Sequence, residues 1–255
     1  MYLLLFVLSL VLLASVSRVK PMAALQFPVQ VINLDTRPDR MKHIRDQYLK
    51  TDMPFVLTRI PAVNGQNLDM STIPMTQKAL QDIEFVDEHK HRTQHHQVTR
   101  GAVGLYLSQM EAWRRIAEDP NAEYGLVMED DAILVPDIYR QICKFAHTAP
   151  PDWDILLFGH LCKRSSTLLK NYRKVHRFYM LHCYLLTKSC AKYLLENVLP
   201  IDVQLDWKLS DLAERGQLKV YATPNSIVRQ LGQDTDIQTK VIKDDAPKTE
   251  RAPSG

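Results

Sequence analysis

Apolar residues in this chain come as short runs set between longer stretches of helical period. Residues 29–34, Val-Gln-Val-Ile-Asn-Leu, read as a first strand, and Asp35-Thr36-Arg37-Pro38-Asp39-Arg40 as the turn after it. Pro38 suits the first turn of a helix, where its missing N–H breaks no bond, and Met41, Ile44 and Tyr48 then share one face. Residues 55–60 predict a second strand, closed by the polar turn Asn64-Gly65. Strand, helix and strand at this spacing predict a βαβ unit and a parallel sheet.

The next stretch, residues 66–98, is polar and without strong period. It carries His89, His91, His95 and His96, and the expectation is a solvated loop or a flap over a site rather than a metal centre. Thr99 caps a predicted helix over 101–118, with Val103, Leu107, Met110 and Ala117 inward, while Gly101 and Gly104 permit a close approach of backbone. A strand at 126–128 follows, then a helix over 136–146 with Ile138, Ile142 and Phe145 inward, and a short strand at 154–158. Six cations with no acid between them (Lys163, Arg164, Lys170, Arg173, Lys174, Arg177) predict a basic loop, either simply solvated or facing an anionic substrate or membrane surface. A strand at 180–186, a Thr187-capped helix to Val198, a helical segment around Trp207 ending at Gly216 and a last strand at 218–222 complete the domain. The folded domain is expected over 29–238, with a disordered tail over 239–255.

One run changes the picture from fold to chemistry. In Tyr-Gly-Leu-Val-Met-Glu-Asp-Asp-Ala-Ile-Leu-Val, residues 124–135, a buried strand ends in three consecutive acids, Glu129, Asp130 and Asp131. Three carboxylates repel one another unless positive charge sits among them, and a hard divalent cation that also takes substrate phosphate oxygens answers that need. Ligands of open α/β sheets gather at the carboxyl ends of strands, where these acids lie. An acidic turn capping the next helix is the plainer alternative. In an extended segment Glu129 and Asp131 project to the same side.

Composition narrows the class. The 255 residues suffice for one large domain, and a net charge of +3 is too small to argue for nucleic acid. Cys143, Cys162, Cys183 and Cys190 lack metal-ligand spacing and are expected as free thiols, with disulfides only in an oxidising compartment. Residues 2–16 are uncharged, with Ser9 and Ser15 their only polar interruptions. Residues 1–17 are therefore expected to be a signal peptide or short membrane anchor, implying the secretory pathway, in the endoplasmic reticulum or Golgi lumen, or membrane association. Arg18 and Lys20 follow the run rather than precede it, and a start at Met22 would leave a cytoplasmic protein.

Four segments in order then carry a resemblance. They are Val31-Ile32-Asn33-Leu34-Asp35 with Arg37, Asp39 and Arg40, then Arg59-Ile60-Pro61-Ala62-Val63-Asn64-Gly65, then residues 101–113, then residues 126–133. A weaker fifth runs from Asp154-Ile155-Leu156 through His182-Cys183-Tyr184-Leu185 to Asp206-Trp207. Together they resemble glycosyltransferase family 25. The resemblance implies an α/β, GT-A-like nucleotide-sugar transferase fold with a mostly parallel central sheet, a UDP-sugar donor, and Mn²⁺ or Mg²⁺. It implies transfer of a hexose, galactose foremost, with inversion, to a glycan, lipid-linked or protein acceptor. Asp131 and Glu129 would hold the metal with Asp130 assisting. Asn33, Asp35, Arg37 and Arg40 of the first motif would lie near nucleoside and phosphates, with Gly101 and Ser108 of the third segment also on the donor. Asp206 is the candidate base, with Asp211 and His182 behind it, although Asp206 also fits a helix N-cap. Where family members often show Gly-Glu-x-Gly-Cys and Ser-His, this chain has Gly101-Ala102-Val103-Gly104-Leu105 and Ser108-Gln109. Those departures keep a non-catalytic adhesion or interaction module as the alternative. A metal-dependent phosphoesterase is the third reading.

Overall fold

The structure is a computed structural model and describes residues 24–165, 171–232 and 240–242. The leader-like residues 1–17, Lys170 and most of the expected tail lie outside the described residues.

The first βαβ unit forms as the pattern predicts. Strand β1 (Val29–Asn33) passes through α1 (Pro38–Tyr48) to β2 (Leu57–Pro61), and β1 and β2 pair in parallel from Val29↔Leu57 to Asn33↔Pro61. The chain next builds two 3₁₀ turns, Gly65–Asn67 and Met70–Thr72, then α2 (Gln77–His89) and α3 (Arg100–Glu118) before entering β3 (Tyr124–Glu129). Helix α2 corrects the expectation of an irregular loop. Thr76 caps it through Ala79 N–H, and Ala79, Asp82, Ile83 and Val86 form a buried helical stripe that the surrounding polar residues hide in the sequence. Beyond β3 come β4 (Ala132–Ile133), α4 (Ile138–Thr148), β5 (Ile155–Ser165), β6 (Arg173–Thr187), α5 (Lys188–Asn197), α6 (Leu205–Glu214), β7 (Val220–Ala222) and β8 (Arg229–Gln230).

Among the described residues the main sheet has the order β2-β1-β3-β6-β5-β7, with β6 running against the other five strands. The mostly parallel α/β sheet expected from sequence is therefore present. Both faces are covered, which is why its strands read as continuous apolar runs rather than as alternation. Val127, Leu157 and Leu186 point to the layer of α2, α3, α5 and α6, while Leu126, Met128, Phe158 and Leu185 point to α1 and α4. The basic segment is corrected too: β5 and β6 extend as a long antiparallel pair, so Arg173, Lys174 and Arg177 sit in a strand. Arg177 pairs with Asp211 and Glu214 and lies 5.2 Å over the Trp207 ring, which makes it a packing cation. The last strand expected at 218–222 is followed by β8, which pairs with β4. Residues 240–242 of the expected tail run beside Arg92, whose N–H donates to Lys240 O while its O accepts from Ile242 N–H. All four cysteines are free, and Cys143, Cys183 and Cys190 are buried.

Glycines set one close approach. A Cβ on Gly104 would strike Val63 O and Gly65 N, and one on Gly65 would strike Arg100 O, so the loop after β2 lies directly on the backbone of α3. Gly104→Ala should destabilise the protein by roughly 1–3 kcal/mol, the usual cost of overpacking. Urea unfolding measures this, and an unchanged midpoint would show that the loop can retreat from the helix freely.

Candidate active site

The chain leaves β1 for β2 on one side, yet β3 is inserted on the other side of β1. A crevice opens where strand order reverses, at the carboxyl ends of β1 and β3. A cavity of about 560 Å³ lies there. Its walls include Asn33, Arg40, the loop from Ala62 to Gln66, the first turns of α3 with Gly101, Ala102 and Ser108, and Glu129, Asp130 and Asp131. Met180, Asp206 and Gln230 line it as well.

The three acids are held in three ways. Strand geometry stops at Glu129 and the chain turns through Asp130 and Asp131, so the expected alternation of an extended segment does not apply. Asp130 is buried; it accepts from Asn33 Nδ2 at 2.7 Å and faces the Arg40 guanidinium at 3.5 Å. Burial raises its pKa above the usual carboxylate value against the pull of both partners. Glu129 opens only to the cavity and is pushed up to about 8, first by burial and then by Asp131, Asp130 and Asp206. Asp131 accepts from Gln230 Nε2 at 2.8 Å through Oδ2, while its Oδ1 is buried with no hydrogen-bond partner.

Arg59 decides how Asn33 is oriented. It donates from Nε to Asn33 Oδ1 at 2.9 Å and from its terminal nitrogen to Asn33 O at 3.0 Å, and it pairs with Asp35. A guanidinium only donates, so the amide oxygen must face Arg59 and the amide nitrogen must face Asp130. Thr99 Oγ1 caps α3 through Ala102 N–H, leaving the positive end of that helix at the cavity wall. Ser108 Oγ donates to Gly104 O at 2.6 Å and accepts from Val63 N at 2.8 Å, fixing the loop to the helix.

Asp206 reaches the cavity from the second position of α6, whose N-cap is Gln204. Its carboxylate accepts from Trp207 N–H at 2.9 Å and from Met180 N–H at 3.3 Å, and burial raises its pKa. Met180 adopts φ 69°, a strained left-handed conformation for a side chain with a Cβ. Trp207 is packed beside it by Tyr179 and His96, each ring centroid 5.1 Å away.

The cavity thus gathers Asn33, Arg40, Gly101, Ser108, Glu129, Asp130, Asp131 and Asp206. Four expected residues fall outside its walls. Asp35 has a side chain 79% exposed and lies with Arg59 in a shallow neighbouring recess. Arg37 pairs with Asp39 at the start of α1. Asp211 is taken by Arg177 at 2.9 Å. His182 is 1% exposed, and its Nε2 bonds Val228 O at 2.9 Å, so it has no direct path to an acceptor hydroxyl. Sequence reasoning missed Arg59 as an orienting group and missed Gln230, Leu231 and Gly232 as cavity residues. Arg59 stood within a quoted motif, whereas the two-residue strand β8 gives no periodic signal.

The family described as Glycosyltransferase family 25 (LPS biosynthesis protein) matches residues 27–208. Procollagen galactosyltransferase 2 of Homo sapiens is 29% identical over 134 residues, covering 51% of this chain and 20% of that protein. Procollagen galactosyltransferase 1-A of Xenopus laevis is 28% identical over 134 residues, with 51% and 21% covered. The matched stretch therefore spans about a fifth of these relatives' length. Among solved structures, S. aureus TarS 1-349 in complex with UDP-GlcNAc superposes with a TM-score of 0.45 at 11% identity, covering 84% of this chain and 60% of that one. The family match runs from just before β1 into α6 and takes in all four cavity carboxylates, and the chain belongs to glycosyltransferase family 25.

Proposed function

We propose that the chain is a metal-dependent glycosyltransferase that moves a hexose, galactose foremost, from a UDP-sugar to an acceptor hydroxyl on a glycan, glycolipid or protein, with inversion. The observation that carries this reading is a buried Asp131 Oδ1 with no hydrogen-bond partner in a cavity also lined by Glu129, Asp130 and Asp206. Carboxylates gathered in this way favour a positive charge among them. The names of the relatives support galactose as the sugar.

The donor set fits a divalent ion in one particular form. Among the described residues no group of three or more His, Cys, Asp or Glu side chains is placed to hold an ion by itself. Mn²⁺ and Mg²⁺ are commonly held by one or two carboxylates, with substrate phosphate oxygens completing the sphere. Glu129 and Asp131 supply that pair. When bound, the ion would stabilise the charge developing on the leaving diphosphate. Arg40 and the N-terminal end of α3 add positive potential on the same wall. Asp206, which lines the same cavity and is raised in pKa, is suited to take the acceptor hydroxyl's proton as the new bond forms, so a single displacement inverts the anomeric centre. A secretory location rests on the uncharged apolar run at residues 2–16. No helix of the described residues is long and apolar enough to cross a membrane.

Three outcomes test the reading. Calorimetry should show UDP binding that strengthens with Mn²⁺ and loses that dependence in Asp131→Ala; absence of UDP binding under either condition would favour the non-catalytic module. Asp206→Asn should lower kcat by about 10²–10⁴ while leaving UDP binding intact, the range for loss of a general base. The third is pH dependence. Folded Glu129 holds its proton to about 8 against a model-compound value of 4.5, so between these limits the folded state binds more protons than the unfolded state. Metal-free protein should therefore lose stability as pH rises from about 4.5 to 8, and Glu129→Gln should flatten that fall in the thermal midpoint. A slope unchanged by the variant would assign the effect to other groups.

A further inference from the structure

We propose that residues 226–232, beyond the stretch that matches the family, are a working part of the cation site, with Gln230 as the residue that positions Asp131. This rests on the metal-dependent reading above.

The segment is firmly anchored. Ile227 and Val228 N–H donate to Phe158 O at 2.9 and 3.0 Å, and Ser226 Oγ donates to Val228 O at 2.7 Å. Strand β8 then pairs antiparallel with β4, placing Gln230 opposite Ala132. From that register Asp131 is gripped twice: Leu231 N–H donates to its backbone oxygen at 2.7 Å, and Gln230 Nε2 donates to Oδ2 at 2.8 Å. Fixing one carboxylate oxygen fixes the other, and that other is the buried Oδ1 with no partner. A buried carboxylate oxygen without a donor is costly to maintain, so its orientation by two dedicated contacts implies that something electropositive completes it.

The same segment orients a second acceptor. Val228 O can only accept, so the His182 proton lies on Nε2 and Nδ1 carries a bare lone pair. That Nδ1 is likewise buried and without a partner. Side chains that orient a ligand in this way usually change metal affinity about 10–100-fold when removed.

The test measures Mn²⁺ bound by the full chain with UDP present, by electron paramagnetic resonance of the free ion, so turnover is not the readout. Gln230→Met keeps the length of the side chain and the β4–β8 pairing but has no donor. It should raise the Mn²⁺ dissociation constant about 10–100-fold while leaving metal-free UDP binding and the urea midpoint unchanged. Arg229→Ala, an exposed neighbour on the same strand, should leave Mn²⁺ binding as in the wild type. Equal Mn²⁺ affinity in wild type and Gln230→Met would overturn the inference and leave the proposed function standing. Loss of metal-free UDP binding together with a lowered urea midpoint would also overturn it, by making the segment purely structural. A wild type that binds UDP but no Mn²⁺ would overturn both this inference and the metal-dependent reading.

Discussion

Repulsion among four carboxylates is the constraint around which this molecule is arranged. Glu129 ends one strand, Asp130 and Asp131 follow it, and Asp206 joins them in lining a cavity of about 560 Å³. In a partly desolvated crevice, like charges this close cannot all ionise freely. The chain treats each acid separately. Asp130 receives an amide and a guanidinium, Asp206 receives two backbone N–H groups, Glu129 keeps its proton, and Asp131 is left with one oxygen open.

The fold supplies the rigidity that this arrangement requires. Asn33 serves Asp130 because Arg59, on the neighbouring parallel strand, holds its amide oxygen while Arg37 O accepts from its amide nitrogen. The register Val31↔Arg59 and Ile32↔Ile60 is thus a functional dimension, since a slip of one residue would turn Arg59 to the other face of the sheet. Helix α3 reaches the same crevice because Gly65 and Gly104 let backbone lie on backbone, and Ser108 ties the two together.

What could be read from the sequence follows from how each signal arises. Parallel strands buried on both faces leave dense apolar runs, so β1 and β3 were legible, as was α1 from Pro38, Met41, Ile44 and Tyr48. Helix α2 was not, because its stripe of Ala79, Ile83 and Val86 is narrow and sits among polar and charged residues. The acids were legible as a run, but not the division of labour among them, which depends on partners such as Gln230 that lie 99 residues from Asp131. Asp211 and His182 looked like site residues because acid and imidazole are the vocabulary of catalysis. An ion pair with Arg177 and a bond to a backbone carbonyl account for both.

The two departures from the family pattern have different consequences. Gln109 is fully buried and is not a cavity residue; its Oε1 accepts from Tyr184 OH at 2.6 Å, and that hydroxyl in turn accepts from Trp113 Nε1 at 2.7 Å. A polar chain through the core of α3 and β6 needs an acceptor at 109, and an amide provides one without a charge to bury. The imidazole absent here is therefore missing from the core rather than from the cavity wall. Ala102 does line the cavity, in the first turn of α3. A carboxylate there would add a fifth acid to a crevice already lined by four and would offset the positive end of the helix. With alanine that positive end stays uncompensated at the cavity wall.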